Sequence, residues 1–486
     1  MSQLKKLGNS SAIYTLPYIL NIFSGFVLVP LFTHYLKPEQ YALLALIASI
    51  TAIATTITSL KLESAVYRFH STFNSSNEKS DFLGTVLIAK SILALLVSAL
   101  IVLVFGLFHQ KGISFLNIPF NPFIISTAFM IFFITISTQQ LALWVAEENP
   151  KAVTTVNLLN FFIMNILSII FIIYLNDEAW GKIKAMLIVE CLTFLFMSFI
   201  TYRKINFTFS KRYFDQSMKF SLPLFFSGMT NEILKNSDRF IIAQYAAIKL
   251  SGVSLGQIGF LHIADKFAQS INIPWKGVEK SVTPHIFNTA DTEKQKSILI
   301  GIYELWMIIS GLLLLGFLSI VEIFFNLFID EQYLNDSILL ASKILAVSYF
   351  FLSSYTFFSI AIGISKKTAV ILKITLVATI INLFINITLI PIFGWIIAPI
   401  STLLSSIVTH FIMYRSSQKL AKINFSIVMA YKCLGISILI YVISTYIGVN
   451  FQGYFAQILF AAVQCVIYVL IVIVTFNIKS ILSKIS

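Results

Sequence analysis

The sequence predicts an all-α integral membrane protein of about fourteen transmembrane helices, and three observations carry that prediction. Of the 486 residues, 58% are hydrophobic and 11% are charged, against roughly 25% charged in ordinary soluble domains. Apolar runs of roughly 20 residues, enough to cross a hydrocarbon core of ~30 Å, recur from residue 10 almost to the last residues. The basic residues concentrate on alternate connections, as the positive-inside rule requires, and an even number of spans puts both termini on the same side as them.

In order, the runs place helices at 10–35, 41–61, 82–108, 122–146, 153–176, 181–202, 217–247, 253–285, 297–329, 337–364, 367–391, 393–414, 426–448 and 452–477. The first is too long for a secretory signal and has no small-residue cleavage site after it, so it reads as a retained helix. With both termini cytoplasmic, the inner connections collect most basic residues, among them Lys61, Arg68, Lys79, Arg203, Lys204, Lys211, Arg212 and Lys219. The outer connections hold Lys37, Lys111, Lys182, Lys184 and Lys249. One missed helix in mid-chain would reverse every later loop and erase this asymmetry.

The basic connection Tyr202–Lys219 separates six helices from eight. We read 1–203 as an N-terminal lobe, 204–216 as a cytoplasmic linker, 217–416 as a C-terminal lobe and 417–486 as two additional helices. Weak internal similarity supports the division: Tyr14-Thr15-Leu16-Pro17 parallels Phe220-Ser221-Leu222-Pro223, and Leu62-Glu63-Ser64-Ala65-Val66 parallels Val278-Glu279-Lys280-Ser281-Val282. The order and the expected membrane side agree, which implies a parallel repeat with a binding site between lobes.

Composition also excludes classes. Cys191, Cys433 and Cys465 lie in apolar segments at unrelated spacings, giving neither a disulfide framework nor a metal site. The net charge of +13 is dispersed among short connections, so it points to membrane topology and not to nucleic acid. No phosphate loop, zinc-spaced His or Cys set or nucleophile motif is present, so no cofactor is expected. The outer connections are too short to present paired carboxylates, leaving a membrane-embedded sugar polymerase or glycosyltransferase as a remote alternative.

Charges inside the spans are the functional signal. The 217–247 run carries Glu232, Lys235, Asp238 and Arg239, and the 253–285 run carries Asp265, Lys266, Lys276 and Glu279. Each costs at least ~2.5–3.5 kcal/mol in lipid, so these faces must meet protein or water. Glu232, Lys235 and Arg239 share one helical face, and His262, Lys266, Gln269, Asn272, Lys276 and Glu279 descend the next helix in three- and four-residue steps. At ~1.5 Å per residue, Arg239 sits roughly 12 Å and Lys266 roughly 20 Å from the outer end. Two readings stay open here: mutual pairing, as of Glu232 or Asp238 with Lys235, or a polar path for a substrate or ion.

Elsewhere the interior is milder. Asn21, Gln139, Gln140, Thr51, Thr55, Thr58 and Trp144 offer amides, hydroxyls and an indole that line a cavity or join helices. Tyr349, Ser353, Ser354 and Tyr355 carry the same double reading, while Glu190, Glu304 and Lys343 stand isolated.

The stretch from Leu16-Pro17 through Val29-Pro30-Leu31-Phe32-Thr33-His34-Tyr35-Leu36-Lys37-Pro38-Glu39-Gln40-Tyr41 resembles the N-terminal signature of the polysaccharide-exporter family. That family includes Wzx-type O-antigen repeat-unit flippases and belongs to the MATE-like multidrug/oligosaccharidyl-lipid/polysaccharide superfamily. Leu222-Pro223, Asp238-Arg239-Phe240-Ile241-Ile242 and Gly259-Phe260 resemble it as well, whereas Ala42 stands where relatives often have a glycine turn.

The resemblance implies two six-helix lobes around a central cavity plus two C-terminal helices. It implies a cationic lumen for an undecaprenyl-pyrophosphate-linked oligosaccharide, moved by alternating access between leaflets of the bacterial inner membrane. Polymerase and chain-length regulator proteins are the implied partners. Arg239 matches the family motif directly; Lys235, Lys266 and Lys276 rest on the stripes alone. A lipid II-type flippase and a cation-coupled drug antiporter are the alternatives within the superfamily. Glu232, Asp238, Asp265 and Glu279 are the candidates for H+ or Na+ coupling or for charge pairing.

Overall fold

A computed structural model describes residue 20 and residues 25–485, apart from 74, 114, 148, 251, 276–278, 280–285, 287–291, 366, 368 and 449–452. Among the described residues the regular elements are helices, and eleven of them are long and apolar enough to cross a membrane. The protein is an all-α, multi-pass membrane protein. The expected helix at 10–35 lies largely outside the described residues.

The chain forms two compact units, Tyr35–Gly259 and Met1–His34 with Phe260–Ser486. The sequence division at 204–216 is a boundary along the chain, whereas these units group residues by contact. The first unit contains α1 (Pro38–Ser59), α2 (Leu62–Phe69), α3 (Ser76–Gln110), α4 (Ile125–Ala146), α5 (Pro150–Ile169), α6 (Glu178–Thr201) and α7 (Lys211–Ala247), and α8 (Gly256–Ala268) begins in it.

Helix α1 shows why the signature residues occur where they do. Pro38 opens it, its fixed φ suiting a first turn whose N–H needs no partner. The Lys37 N–H donates to the Gln40 side chain at 2.9 Å, which caps the start. Ala42 is fully buried within this helix, so no turn there requires glycine and the expected departure has no backbone consequence. Gly259 of α8 approaches the same end so closely that a Cβ would lie 2.4 Å from the Pro38 carbonyl oxygen.

The expected 41–61 helix stops at Ser59, because Leu60 and Lys61 both adopt left-handed backbone, with φ of 44° and 56°. Such a pair cannot continue a right-handed helix. The chain restarts as α2, which Leu62–Val66 opens. Leu62 and Val66 pack with Phe82, Val86 and Leu87 of α3 and Leu143 of α4 in the core of this unit. Helix α7 packs on α1, α2 and α3.

The basic connection after α6 is held tightly. Asn206 and Thr208 both donate to Asp81 Oδ1 at 3.0 Å, Ser80 Oγ donates to the Lys204 carbonyl at 3.0 Å, and the Ser210 N–H donates to Thr85 Oγ1 at 3.0 Å. Ile205 enters the core.

The second unit contains α9 (Thr292–Phe328), α10 (Asp336–Ile364), α11 (Ala369–Phe393), α12 (Ile397–Ala421), α13 (Ile427–Gly448), α14 (Tyr454–Thr475) and α15 (Ile478–Ile485). Helix α9 anchors the last three. Ser437 Oγ donates to the Gly311 carbonyl at 2.8 Å, Tyr468 Oη to the Ile308 carbonyl at 3.0 Å, and Lys484 Nζ meets Glu304 at 2.7 Å. Glu304, isolated in the sequence, is therefore paired, as is Lys343 with Glu322 at 3.5 Å. Near the expected outer end, His34 Nδ1 lies 3.0 Å from Asp330, and Gln332 Nε2 donates to the Thr33 carbonyl at 2.8 Å.

A Cβ at Gly84 of α3 would stand 1.6 Å from the Asn206 carbonyl oxygen. That neighbour is backbone and cannot rotate aside. Gly84→Ala is expected to cost about 1–3 kcal/mol by overpacking, seen as a lower apparent Tm of the detergent-solubilised protein; an unchanged Tm would show that the connection does not dock on α3.

Candidate functional site

The charged stripe of α7 is present, and its members differ sharply in surroundings. Arg239 is only 8% exposed: its Nη1 donates to Ser49 Oγ of α1 at 3.2 Å and to Asn236 Oδ1 at 3.3 Å. Asp238, equally buried, accepts the Arg239 N–H at 2.7 Å. Lys235 is the opposite, with 68% of its side chain exposed and a loose 3.9 Å approach to Glu232. Glu232 in turn accepts from Asn236 Nδ2 at 3.2 Å. Of the pairings weighed from the sequence, Glu232 with Lys235 is the one seen, at the limit of contact.

On α8, Lys266 is exposed and His262 and Asp265 are half-buried. Asp265 is gripped on both oxygens: Tyr349 Oη of α10 donates at 2.6 Å and Gln269 Nε2 at 3.0 Å. The expected unbroken helix over 253–285 is corrected here. Its α-helical part ends at Ala268, and Gln269–Ile271 form a 3-10 turn. Pro274 accounts for the change, since it has no N–H and its ring crowds the carbonyl four residues earlier. Asn272 is half-buried beyond that turn, so the stripe does not descend one continuous helix, and Glu279 is half-buried. Lys276 and Asn21 lie outside the described residues.

The amides of α4 are each 3% exposed. Gln140 Nε2 donates to Ser198 of α6 at 3.0 Å, a helix-joining bond, whereas the Gln139 amide has no hydrogen bond among the described residues. Helix joining also accounts for Thr58 with Thr135 at 2.6 Å, Ser354 with His410 at 2.5 Å and Ser353 with Ser310 at 3.4 Å.

A fully buried lysine and its partner also escaped the sequence reading. Lys90 of α3 is 0% exposed and reaches Glu63 of α2 at 3.3 Å. Its signal was present, since Lys90 is the lone charge in the apolar run 82–108. In the other unit, Phe26, Phe267, Ile271, Phe317, Phe324 and Cys465 line an apolar cleft of about 410 Å³.

A family profile described as "Polysaccharide biosynthesis protein" matches residues 7–273, more than half of the chain. The chain belongs to the polysaccharide biosynthesis protein family. Among curated proteins, no sequence matches this family member. Its fold is similar to that of the "Lipid II flippase MurJ, inward closed conformation", with a TM-score of 0.71 and 18% identity over 95% of this chain and 98% of that one. It is similar too to the Vibrio cholerae MATE transporter VcmN in the bent form, with a TM-score of 0.52 and 14% identity over 87% of this chain and 98% of that one. A third match is an inward-facing multidrug resistance MATE transporter of the MOP superfamily, with a TM-score of 0.56 and 16% identity over 85% and 96% of the two chains. This polysaccharide biosynthesis protein thus shares its fold with these three transporters.

The contrast within the stripe predicts separable effects. Arg239→Glu places an uncompensated charge against Ser49 and is expected to cost about 3–5 kcal/mol, lowering protein yield and apparent Tm. Lys235→Glu, at an exposed position, is expected to leave both within experimental scatter. Equal thermal stability of the two variants would contradict the burial difference.

Proposed function

We propose that the protein flips an undecaprenyl-pyrophosphate-linked oligosaccharide repeat unit, for O-antigen or a related surface polysaccharide, between leaflets by alternating access. The observation that supports this most is Lys235. A cation 68% exposed in the middle of a 37-residue helix cannot face hydrocarbon without a penalty of at least ~2.5–3.5 kcal/mol. Its surroundings are therefore wet, and an ammonium kept in water at that depth suits an anionic headgroup passing through. Diphosphate carries the charge and acceptor oxygens for such a site.

Lys266, Lys276 and Arg239 are the further candidate cations for an anionic headgroup in this reading, Arg239 being oriented by Ser49 and Asn236. His262, Gln269, Asn272, Asn21 and Gln139 offer amides and an imidazole to the sugars, whereas Gln140 is taken up in joining α4 to α6. The aromatic cleft of about 410 Å³ suits part of a prenyl chain, being lined by Phe26, Phe267 and Phe324. Asp265, clasped by Tyr349 and Gln269, is the favoured group for H+ or Na+ coupling; Glu232, Asp238 and Glu279 are further carboxylates for that role. The basic asymmetry supports cytoplasmic termini in a bacterial inner membrane, with polymerase and chain-length regulator proteins as partners.

The test is flipping in proteoliposomes of a fluorescent polyprenyl-diphosphate oligosaccharide. The wild type should flip it, and Lys235→Glu or Lys266→Glu should reduce flipping at least about tenfold, the worth of one charge-assisted hydrogen bond, at unchanged protein level. Normal flipping in both variants would defeat the assignment. Lipid II and a cationic dye in the same vesicles distinguish the substrate classes.

A further inference from the structure

The α7 stripe extends beyond its charged members. Gly228 precedes Glu232, Lys235 and Arg239 by four, seven and eleven residues, so it lies on the same face. A second cation is laid over that glycine. A Cβ at Gly228 would fall 2.8 Å from Lys61 Cε and 3.7 Å from Lys61 Nζ. The missing side chain lets Lys61 lie against α7. Along the helix its ammonium stands about 10 Å from the level of Lys235 and about 16 Å from that of Arg239, at ~1.5 Å per residue. Further along, the Arg68 guanidinium sits 5.7 Å from the centre of the Phe220 ring. Lys61 and Arg68 belong to the backbone break and to α2, so one local feature sets both at the end of the stripe.

The break also carries a carboxylate that could silence Lys61. Glu63 is two residues away, and its side chain remains 21% exposed. Lys90 reaches it at 3.3 Å from a fully buried position. A buried ion pair is weak evidence for stability, because desolvation offsets most of the attraction. A different role suits it better here: Lys90 occupies Glu63 and leaves the Lys61 charge available.

We propose that Lys61 is the first-contact cation for the diphosphate of the lipid-linked sugar, and that Lys90 is a positioning residue that keeps Glu63 from neutralising it. The proposal rests on the flippase reading above. It places capture at the end of α7 that the charge asymmetry assigns to the cytoplasm, with Lys235 next along the path. Gly228 is then a functional glycine whose lack of a side chain seats Lys61.

The full-length chain is tested in proteoliposomes with the same fluorescent polyprenyl-diphosphate oligosaccharide, by measuring flipping rate against probe concentration. Lys61→Met should raise half-saturation about tenfold, as expected for one charge-assisted contact, with little change in the rate at saturation. Gly228→Ala, which displaces Lys61 but retains its charge, should shift half-saturation the same way. Lys90→Met should raise it too, by releasing Glu63. In Lys90→Met/Glu63→Gln half-saturation should return to the wild-type value, and adding Lys61→Met should remove that rescue.

Unchanged half-saturation in Lys61→Met and Gly228→Ala, in vesicles where the wild type flips the probe, overturns the proposal and leaves the flippase reading intact. Rescue that survives Lys61→Met overturns the role of Lys90, since Glu63 would then act without Lys61. A wild type that does not flip the probe overturns the flippase reading together with this inference. Lys61→Met and Gly228→Ala alter no buried ion, so they test capture even where Lys90→Met fails to fold.

Discussion

A charge within the membrane has three tolerable situations: an opposite charge, a shell of polar atoms, or water. The charges of this chain divide along that line. Lys90 is wholly buried and has Glu63; Glu304 is 6% exposed and has Lys484; Arg239 is 8% exposed and has Ser49 and Asn236. Lys235, on the same helical face as Arg239, is 68% exposed. Only the last situation requires water, so exposure separates Lys235 from the charges that hold helices or orient neighbours.

The sequence made much of this visible because lipid leaves few alternatives. Backbone polar groups must be satisfied within the helix, so an apolar run of sufficient length reads directly as a span, and α3, α5, α9 and α14 follow their runs. The stripe on α7 was equally plain from its spacing. Periodicity, however, assigns residues to a face and says nothing of what covers that face at each height. Arg239 and Lys235 were therefore indistinguishable until Ser49 was seen beside one of them. Glu304 appeared isolated because its partner lies 180 residues further along.

Two backbone features escaped the reading for a different reason. The break at Leu60–Lys61 contains neither proline nor glycine, and the run read as 41–61 ends beside it with no residue that signals left-handed backbone. Left-handed backbone at such residues is set by tertiary packing, here Leu62 and Val66 entering the core of α3 and α4. The turn at Gln269–Ile271 did have a local cue in Pro274, but the polar spacing on either side suggested one continuous helix. Residues that looked like cavity lining also divide once neighbours are known: Gln140 joins α4 to α6, while the Gln139 amide meets no partner among the described residues.

Helix α7 shows how these constraints combine. Its charges keep it from being apolar enough to count among the eleven spans, so it depends on the helices packed against it, α1, α2 and α3. Those neighbours do not cover its stripe evenly. At the level of Arg239, α1 lies close enough for Ser49 to accept a hydrogen bond; one turn away, Lys235 projects outward; at Gly228 the backbone break brings Lys61 against the helix. The variation runs along the axis and not around it, which follows from α1 ending at Ser59 and restarting after a left-handed turn. The strained pair at Leu60 and Lys61 thus does more than end a helix: it brings a cation onto the exposed part of a stripe whose other end is covered.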